Sequence, residues 1–544
     1  MPTVDHLGIA HVSFEVHHFD PSSNDWIGVY CLEGGLTDSP DEDYVDWRRT
    51  DGLPADTYKF GPLINMRCAW QFRYFHRIGN NNVHQRMGIS KVMPSSRGDS
   101  EPLQVHLALT GDPASMRVMW ISADVLSPVV RYGTAADNLD QQAVPTASTY
   151  HASDLCEAPA NIVGARGFRN PGMIFDAVMV ELEPHRVYFY QVGSEDGGFS
   201  DMFHFRSPVP PGATLPPAMP TSFFVLADLG EWTPGLASEL PRGRSGHTME
   251  LIADELKRPD RHYAAVLHDG DLSYARGVAY QWEQFSALIQ PVATQIPYMV
   301  AVGNHEYCYL SGGIGKDPSG SGATNGWHPA GGNYAKDSLG ECGIPTARRF
   351  HMPENGNGVF WYSFDVGLMH HVVISSEHDW RPQSPMIQWL QDDLRRVDRD
   401  LTPWLFVHLH RPLYCSERFV GDNTVSLLLQ ANLEDLFFKY RVHVVFSGHF
   451  HAYERTCPVY NALCRSHPEA PTTAGAPVHI MVGSAGAKLD YHGFDDVLWS
   501  AAHRMEYGYG RMHVHNSTHA LFEFQRNEDS VISDSAWVVS THDW

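Results

Sequence analysis

The chain lacks three features that would assign it to large classes of protein. No apolar run in its 544 residues approaches the ~18–20 residues of a transmembrane helix. Basic residues are scarce, with 39 Lys and Arg against 63 Asp and Glu, so the formal net charge is −24. Nucleic acids and anionic membranes bind a basic face, and we expect neither as a main partner. The first thirty residues show no basic segment followed by an apolar one, so no signal peptide is visible in this numbering.

Cysteine is also scarce. The eight cysteines include no Cys-x-x-Cys pair, which disfavours a thiolate zinc finger. Cys457 and Cys464 flank a six-residue stretch and could close a small disulfide loop, or both could be reduced thiols. Histidine, by contrast, is abundant at 32 residues. A chain with many histidines contains chance matches to metal-binding motifs as well as true ones. Only the spacing of the histidines can therefore indicate which of them bind a metal.

A proline-rich segment divides the chain. Residues 208–220 hold six prolines in thirteen residues, which cannot continue a sheet and predict a stiff linker. Before it, residues 1–98 and 99–207 contain short aromatic and β-branched runs between turn residues. This pattern predicts two all-β, sandwich-like domains. After the linker, from residue 221, short apolar runs alternate with helical patterns, which predicts an α/β sandwich.

Two helices and one long loop stand out in this second half. Apolar residues recur at helical spacing between 387 and 397, which predicts a helix crossing between two parallel strands. Residues 424–440 predict a second helix before the next strand. Residues 311–343 are rich in glycine and lack periodicity, as in the long loops that often lie beside functional sites.

Polar residues follow five of the predicted strands. They are Asp228 after 222–227, Asp271 and Tyr274 after 263–268, Asn304 and His305 after 298–302, His410 after 404–409, and His449 and His451 after 442–447. Ligands of open α/β sheets bind outside the carboxyl ends of the strands. We therefore expect these side chains to converge, although they span more than 220 residues of sequence.

The types of side chain narrow the choice of metal. Carboxylate, amide oxygen, phenolate and imidazole without thiolate suit Fe, Mn, Zn or Mg. Seven ligands are too many for one ion but suit two ions that share a carboxylate, and such pairs stabilise phosphoryl transfer. An Asp-x-Gly motif that occurs alone is most often only a turn. A His-x-His motif that occurs alone can arise by chance in a chain with many histidines. Five such motifs in order, each at a strand end, favour a dinuclear metal site.

These motifs resemble, in order, those of the purple acid phosphatases, which belong to the calcineurin-like metallophosphoesterases. The motifs are Asp228-x-Gly230, Gly270-Asp271-x-x-Tyr274, Gly303-Asn304-His305-Glu306, Val407-x-x-His410 and Gly448-His449-x-His451. The tyrosine of the second motif distinguishes the purple branch, because its phenolate binds Fe(III). Residues 99–207 resemble the family's fibronectin-III-like N-terminal domain, and residues 476–544 resemble a C-terminal segment that completes the catalytic domain at 221–475.

Shorter stretches resemble the larger plant-type branch of the family, some members of which are described as nucleotide pyrophosphatase/phosphodiesterase-like. These stretches are Asp25-Trp-Ile-Gly28, Gly340-Glu-Cys-Gly343, Glu377-His-Asp-Trp380 and Tyr453-Glu-Arg-Thr-Cys-Pro458. The resemblance therefore extends over most of the chain.

The resemblance implies a role for each predicted site residue. Fe(III) would bind Asp228, Tyr274 and His451, with Asp271 as the bridge to the second ion. That divalent ion, Zn, Mn or Fe, would bind Asn304, His410 and His449. His305 would contact the substrate as an acid.

The implied function is an acid phosphatase that hydrolyses small phosphate monoesters by attack of a metal-bound hydroxide. A phosphodiesterase, nucleotide pyrophosphatase or phytase could use the same site. An alternative from a different functional class is a binding protein that has this fold but no catalytic activity. An inert descendant is expected to have lost a ligand, and all seven are present here.

Two features depart from the family pattern. Asp269 precedes Gly270 where the family usually has an apolar residue. The segment Arg411-Pro-Leu-Tyr-Cys-Ser-Glu-Arg418 lacks the histidines that smaller enzymes place after the fourth motif. Other groups must therefore supply part of the substrate contact.

The resemblance also implies a secreted or vacuolar/lysosomal protein. One sequon, Asn516-Ser-Thr518, is compatible with a glycoprotein in such a compartment.

Overall fold

The computed structural model of the chain describes residues 3–4, 10–17, 19–34, 36–61, 63–79, 83–94, 98–230, 244–321, 336–418, 420–467, 470–540 and 542. The predicted loop over 311–343 lies partly outside this set, at residues 322–335. Among the described residues, no helix is long and apolar enough to cross a membrane.

The first part of the chain is all β. Its strands are β1 (Thr3–Val4), β2 (Ala10–Glu15), β3 (Trp26–Leu32), β4 (Tyr44–Arg49), β5 (Ala55–Phe60), β6 (Ala69–Ile78) and β7 (Val83–Ile89). They form a three-stranded sheet, β1-β2-β5, and a four-stranded sheet, β4-β3-β6-β7. Apolar side chains of both sheets, such as Phe60 and Phe72, share one buried core. The disulfide Cys31–Cys68 joins β3 to the chain just before β6.

A second all-β unit follows. Its strands are β8 (Leu103–Ala108), β9 (Met116–Ser122), β10 (Val129–Gly133), β11 (Gln141–Ala143), β12 (Thr146–Ser148), β13 (Met173–Met179), β14 (Val187–Ser194), β15 (Gly198–Phe199) and β16 (Phe203–Arg206), with a 3-10 helix at Ala152–Asp154. One sheet has the order β12-β13-β9-β8, and the other has β11-β10-β14-β15 with β16 on β14. Trp120 is fully buried and stacks on Phe175 at 5.1 Å. The positions of the domain boundaries stay predictions.

The rest of the chain alternates helices and strands. The helices are α1 (Arg244–Leu256), α2 (Ala279–Ala293), α3 (Asn304–Tyr307), α4 (Ile344–Arg349), α5 (Pro385–Arg396) and α6 (Val420–Lys439). The strands are β17 (Thr221–Leu226), β18 (His262–Asp269), β19 (Tyr298–Ala301), β20 (Tyr362–Val366), β21 (Met369–Val373), β22 (Trp404–His408), β23 (Val444–Ser447), β24 (Tyr453–Thr456), β25 (Val459–Tyr460), β26 (Leu463–Cys464), β27 (Ser466–His467), β28 (Ala470–Ala474), β29 (Val478–Val482), β30 (Ser500–Arg504), β31 (Gly508–Val514), β32 (His519–Arg526) and β33 (Ile532–Val539).

Two mixed sheets pack against each other in this unit. One has the order β19-β18-β17-β31-β32-β33-β28-β27, and the other has β20-β21-β22-β23-β29-β24-β30. Strands β17–β19 are parallel in the first sheet, and β21, β22, β23 and β29 are parallel in the second. Phe223 of β17 lies 5.4 Å from Phe406 of β22, so aromatic side chains fill the space between the sheets. The predicted fold class, an α/β sandwich after all-β domains, is confirmed.

The predicted crossover is helix α5, which connects the parallel strands β21 and β22. The helix begins at Pro385, and the Ser384 side chain caps it by accepting a hydrogen bond from the Ile387 amide. Ile387, Leu390 and Leu394 recur at helical spacing and are buried. Their burial against the sheet holds the helix in place.

Buried charges connect the three parts of the chain. Glu283 of α2 accepts hydrogen bonds from Arg349 of α4 and from Gln104 in the second β unit. Arg67, from the first β unit, lies 3.2 Å from the same carboxylate. The disulfide Cys156–Cys342 also links the second β unit to the chain before α4. Removing one partner of such a buried group is strongly destabilising, so these contacts fix the units against one another.

Candidate metal centre

The predicted site residues meet where strands of both sheets end. Asp228 follows β17, Asp271 follows β18, and Asn304 begins α3 after β19. His410 and His449 follow β22 and β23 of the other sheet. A hydrogen bond of 2.8 Å from the His449 amide to Asp228 Oδ2 joins the two groups. The carboxyl ends of the parallel strands thus bring together residues that are far apart in sequence.

Three of the donors form one cluster. The Tyr274 hydroxyl donates to Asp228 Oδ1 at 2.9 Å and lies 2.9 Å from His451 Nε2. Asp228 is fully buried and Tyr274 is almost so. Burial, together with the Asp228 and Asp271 carboxylates, raises the pKa of the Tyr274 phenol well above its usual range. A phenolate at this position requires a strong positive charge beside it.

Three other donors form a second cluster. Asn304 Oδ1 lies 3.0 Å from His410 Nε2 and 3.1 Å from His449 Nδ1, and the two imidazole nitrogens are 3.2 Å apart. Asp271 Oδ2 is 3.4 Å from His410 Nε2. Asp271 also acts on the first cluster, because its charge contributes to the raised pKa of Tyr274. Asp271 therefore lies where a carboxylate shared by both clusters is needed.

Hydrogen bonds on the far side of each ring orient the three histidines. His410 Nδ1 donates to the Asp269 carbonyl at 2.9 Å, and His451 Nδ1 donates to the Lys488 carbonyl at 2.7 Å. His449 Nε2 lies 3.3 Å from Asp422 Oδ2. A neutral imidazole that donates from one nitrogen presents a lone pair at the other. The other nitrogen of each ring faces the donor clusters, where it presents a lone pair whenever the ring is neutral.

Asp422 belongs to a buried ion network that motif spacing did not reveal. Arg411 Nη1 donates to Asp422 Oδ1 at 3.0 Å, and Arg411 Nε donates to Glu377 at 2.9 Å. Burial opposes ionisation, but the His449 hydrogen bond and the Arg411 charge lower the pKa of Asp422 to about 2. The only sequence signal was the position of Arg411 next to His410, in the segment without family histidines. Arg411 is buried behind His449, so it holds the cluster from outside.

Glu306 is a second site residue whose role the sequence did not reveal. Its carboxylate accepts hydrogen bonds from the backbone amides of Asp271, Leu272 and Gly303, at 2.8–2.9 Å. It is fully buried, which raises its pKa to about 8. Glu306 fastens the loop after β18 to the loop after β19, and its place in the Gly303–Glu306 motif was the available signal.

Backbone strain is concentrated at the site. Asp228, Asp271, Tyr274 and His449 all have left-handed φ values, between 49° and 75°. Non-glycine residues in this region cost about 1–3 kcal/mol each and persist only when the surrounding contacts fix them. Gly303 is required for a different reason, because a Cβ atom there would lie 2.2 Å from Asp271 Oδ1. The loops are therefore shaped to bring the donor atoms together.

His305 lies beside the clusters rather than within them. Its Nδ1 donates to the Asp337 carbonyl at 3.1 Å, and its Nε2 is 3.9 Å from Asp271 Oδ2. The ring packs on Tyr274 with centroids 4.5 Å apart. About 17% of its side chain is exposed, in contrast to the fully buried His410. This placement suits a group that meets the substrate.

The unusual Asp269 has a buried partner. Its carboxylate lies 3.1 Å from Nδ1 of His408, which is also fully buried. An aspartate can replace the apolar residue of the family here because His408 satisfies it. Only the backbone carbonyl of Asp269 contacts the site, through His410. The aspartate at position 269 therefore leaves Asp271 as the carboxylate that enters the site.

Comparisons with known proteins agree with this arrangement. Residues 102–207 match the purple acid phosphatase N-terminal domain, residues 221–453 the calcineurin-like phosphoesterase family, and residues 476–535 the iron/zinc purple acid phosphatase-like protein C family.

Individual relatives span most of the chain. Probable inactive purple acid phosphatase 9 of Arabidopsis thaliana is 33% identical over 500 residues, which cover 86% of this chain and 72% of that protein. Purple acid phosphatase 18 of the same plant is 31% identical, covering 89% and 95%. A nucleotide pyrophosphatase/phosphodiesterase of Hordeum vulgare is 31% identical, covering 61% and 86%.

A solved structure has the same fold. The purple acid phosphatase from yellow lupin (Lupinus luteus) seeds superposes with a TM-score of 0.83 at 26% identity, covering 98% of this chain and 93% of the lupin chain. The resemblance inferred from the five motifs is confirmed. Since sequence similarity and fold extend over nearly the whole length, this chain belongs to the purple acid phosphatase family.

Proposed function

We propose that this protein is a dinuclear-metal acid phosphatase that hydrolyses small phosphate monoesters. The observation that carries the proposal is the orientation of His410, His449 and His451, each of which has a ring nitrogen about 3 Å from the amide oxygen of Asn304 or the phenol oxygen of Tyr274. Such convergence of donors without thiolate suits cations bound by oxygen and nitrogen. Neither nucleic acid nor a membrane is proposed as a partner.

The donor set fits the dinuclear centre that the family uses. We assign Asp228, Tyr274 and His451 to Fe(III), and Asn304, His410 and His449 to a divalent Zn, Mn or Fe ion, with Asp271 shared. The pKa of the Tyr274 phenol is high in the absence of metal. A trivalent cation beside Tyr274 would favour the ionised phenolate, which is a good ligand. When bound, the two cations activate water and neutralise the phosphoryl group.

The protein's own residues supply the remaining steps. Glu306 and the strained loops hold Asp271 and Asn304 in place before substrate arrives, which reduces the cost of reaching the transition state. His305 keeps Nδ1–H on the Asp337 carbonyl, so Nε2 is the atom that can give a proton to the leaving alcohol. Burial lowers the pKa of His305, which makes the imidazolium a better proton donor in acidic solution.

The names of some relatives favour the alternative that this protein has no catalytic activity. Several curated relatives are called probable inactive purple acid phosphatases. In this chain, all seven proposed ligands lie in the two clusters and none is missing. We therefore favour an active enzyme over an inert binding protein.

The proposal is tested by combining metal analysis with a panel of substrates. Purified protein loaded with Fe(III) and Zn, Mn or Fe(II) should hold two ions per chain and hydrolyse phosphate monoesters at acidic pH. Diesters, nucleotide pyrophosphates and phytate in the same panel decide among the alternatives on this site. A fully loaded protein that cleaves none of these esters would support the inert reading.

We also propose a secreted or vacuolar/lysosomal location. Three disulfides, Cys31–Cys68, Cys156–Cys342 and Cys457–Cys464, are typical of proteins that fold in an oxidising compartment. Asn516 of the sequon is exposed in the turn between β31 and β32. Glycosylation is tested by the mass lost on enzymatic deglycosylation, with Asn516→Gln as control.

A further inference from the structure

Arg276 lies beside the candidate metal centre but contributes no ligand. Its guanidinium carbon is 5.3 Å from the centroid of the Tyr274 ring. His305 packs on the same ring. Arg276 is exposed, whereas Arg411, which lies beside His449, is buried. Arg276 is thus a cation that a bound substrate can reach.

Arg276 contacts the Tyr274 ring but forms no ion pair with a described residue, although the protein has a large excess of acidic residues. Other exposed arginines, such as Arg381 and Arg418, are paired with a nearby aspartate. Arg276 also has a left-handed φ of 51°. A strained backbone and an unpaired charge at the edge of a site are features that function can explain.

The charges around His305 are asymmetric. The Asp337 carboxylate accepts a hydrogen bond from Asn304, and the Asp337 carbonyl accepts one from His305. His305 also packs on the Tyr274 ring, over which the Arg276 guanidinium lies. A negative group attached to the leaving oxygen would therefore be drawn toward Arg276 and away from Asp337.

The positive charge of the proposed metal centre is sufficient for no more than one phosphate group. This step rests on the proposed function. Two carboxylates, one phenolate and the attacking hydroxide would leave one positive charge from a trivalent and a divalent cation, which is less than the charge of one phosphate monoester dianion. A second phosphate needs a further cation, and the net charge of −24 gives no general attraction for it.

We infer that Arg276 binds a second phosphate group of the substrate, on the leaving-group side of His305, and so favours phosphoanhydrides over simple monoesters. The substrate class is one with two adjacent phosphoryl groups, such as pyrophosphate or a nucleoside diphosphate. Arginine suits this task, because its planar fork can donate two hydrogen bonds to one phosphate.

The test uses the full chain loaded with both metals. Arg276→Asn removes the charge and tolerates the left-handed backbone, because asparagine adopts that conformation readily. Arg276→Gln is the second neutral variant and Arg276→Lys restores the charge. Arg395→Gln is the matched control, because Arg395 is an exposed arginine on α5 paired with Asp392. Equal metal content and unfolding midpoints show that each variant is intact.

The first measurement is calorimetric binding of orthophosphate and of pyrophosphate. We expect Arg276→Asn and Arg276→Gln to weaken pyrophosphate binding roughly 10- to 100-fold, the loss of a charge-assisted contact, and to change orthophosphate binding less than about 2-fold. Arg276→Lys should recover part of the loss, and Arg395→Gln should match the wild type. The second measurement is the ratio of kcat/KM for pyrophosphate to that for p-nitrophenyl phosphate, which should fall by a similar factor.

Two outcomes would overturn the inference. If both ligands weaken equally, Arg276 acts on the first phosphate or on the shape of the site. If neither weakens, Arg276 does not bind substrate. Failure of the proposed function gives a different result: the wild type would bind both anions without turnover, and the binding ratio of the variants would still decide the role of Arg276.

Discussion

Oδ1 of Asn304 lies 3.0 Å from Nε2 of His410, although 106 residues separate them in sequence. The other nitrogen of His410 donates to the Asp269 carbonyl, so Nε2 is the atom that faces the amide oxygen. Burial lowers the pKa of His410, but Asp271 and other nearby carboxylates outweigh it and raise the pKa to about 10. The contact therefore holds a positive charge, either a proton or, once bound, a metal ion. This relationship, repeated by His449 and by the Tyr274–His451 pair, is the basis of the predictions below.

Replacing Tyr274 should remove the colour of the iron-loaded protein. A phenolate bound to Fe(III) gives the charge-transfer band expected from the family resemblance, and Tyr274→Phe has no oxygen to bind. Visible absorption of wild type and variant, at equal iron content, is the measurement. A colourless wild type with full iron occupancy would contradict the assignment of Tyr274.

Asp271→Ala should lose at least one of the two metal ions. The shared carboxylate screens two cations from each other, and without it their repulsion is no longer offset. Metal stoichiometry per chain, after gel filtration, measures the effect. Asp254→Ala is the control, since Asp254 is an exposed residue of α1 paired with Lys257 just after the helix. Two tightly bound ions in the Asp271 variant would rule out the bridging role.

Asp422→Asn should weaken binding of the divalent ion. The carboxylate orients His449 by accepting from Nε2, and loss of such a partner typically costs about 10–100-fold in metal affinity. Competition with a chelator gives the affinity. Asp435→Asn, on the same helix α6 but bonded to Tyr460, should have no effect. Unchanged affinity in the Asp422 variant would mean that His449 needs no orientation.

His305→Ala should lower kcat by ~10²–10⁴-fold while both metals stay bound. The loss should be larger for alkyl phosphates, whose alkoxide leaving groups need a proton, than for aryl phosphates with acidic phenols. Steady-state kinetics on both ester types, with the exposed His503→Ala as control, measures the difference. Equal losses for both types would assign His305 to phosphate binding instead of proton transfer.

His370→Gln should destabilise the fold at pH 6 but much less above pH 9. Burial lowers the pKa of His370, but the Asp365 and Asp393 carboxylates outweigh it and raise the pKa to about 9. The unfolded value is about 6.5, so the folded state binds the proton more tightly. The stabilisation is full below pH 6.5 and is lost as pH rises through 9.

Urea unfolding across this pH range gives the free-energy difference between wild type and the His370 variant. We expect at most about 3 kcal/mol at pH 6, the value of the pKa difference for a buried group. A difference that is constant with pH would show that His370 contributes by packing and not by its charge.

The strand ends and α5 could be predicted, because short apolar runs and the spacing of Ile387, Leu390 and Leu394 are local patterns. The pairing of β31 with β17 could not, since the two strands are far apart in sequence. Asp422 and Glu306 were missed for the same reason: their importance lies in buried contacts with His449 and with the Asp271 loop.

The disulfides Cys31–Cys68 and Cys156–Cys342 have no signature in cysteine spacing, and the Cys457–Cys464 pair, left open by the sequence, is bonded.

The disulfide Cys156–Cys342 makes part of the molecule a covalent ring. The two cysteines are 186 residues apart, and the proline-rich segment at 208–220 lies between them. A protease that cuts this segment therefore opens the ring without releasing either piece. The nicked protein would run as one species on a non-reducing gel and as two after reduction. A protein that runs intact on a non-reducing gel after digestion can thus have lost the peptide connection between the β-sandwiches and the metal centre, with the disulfide as the remaining link.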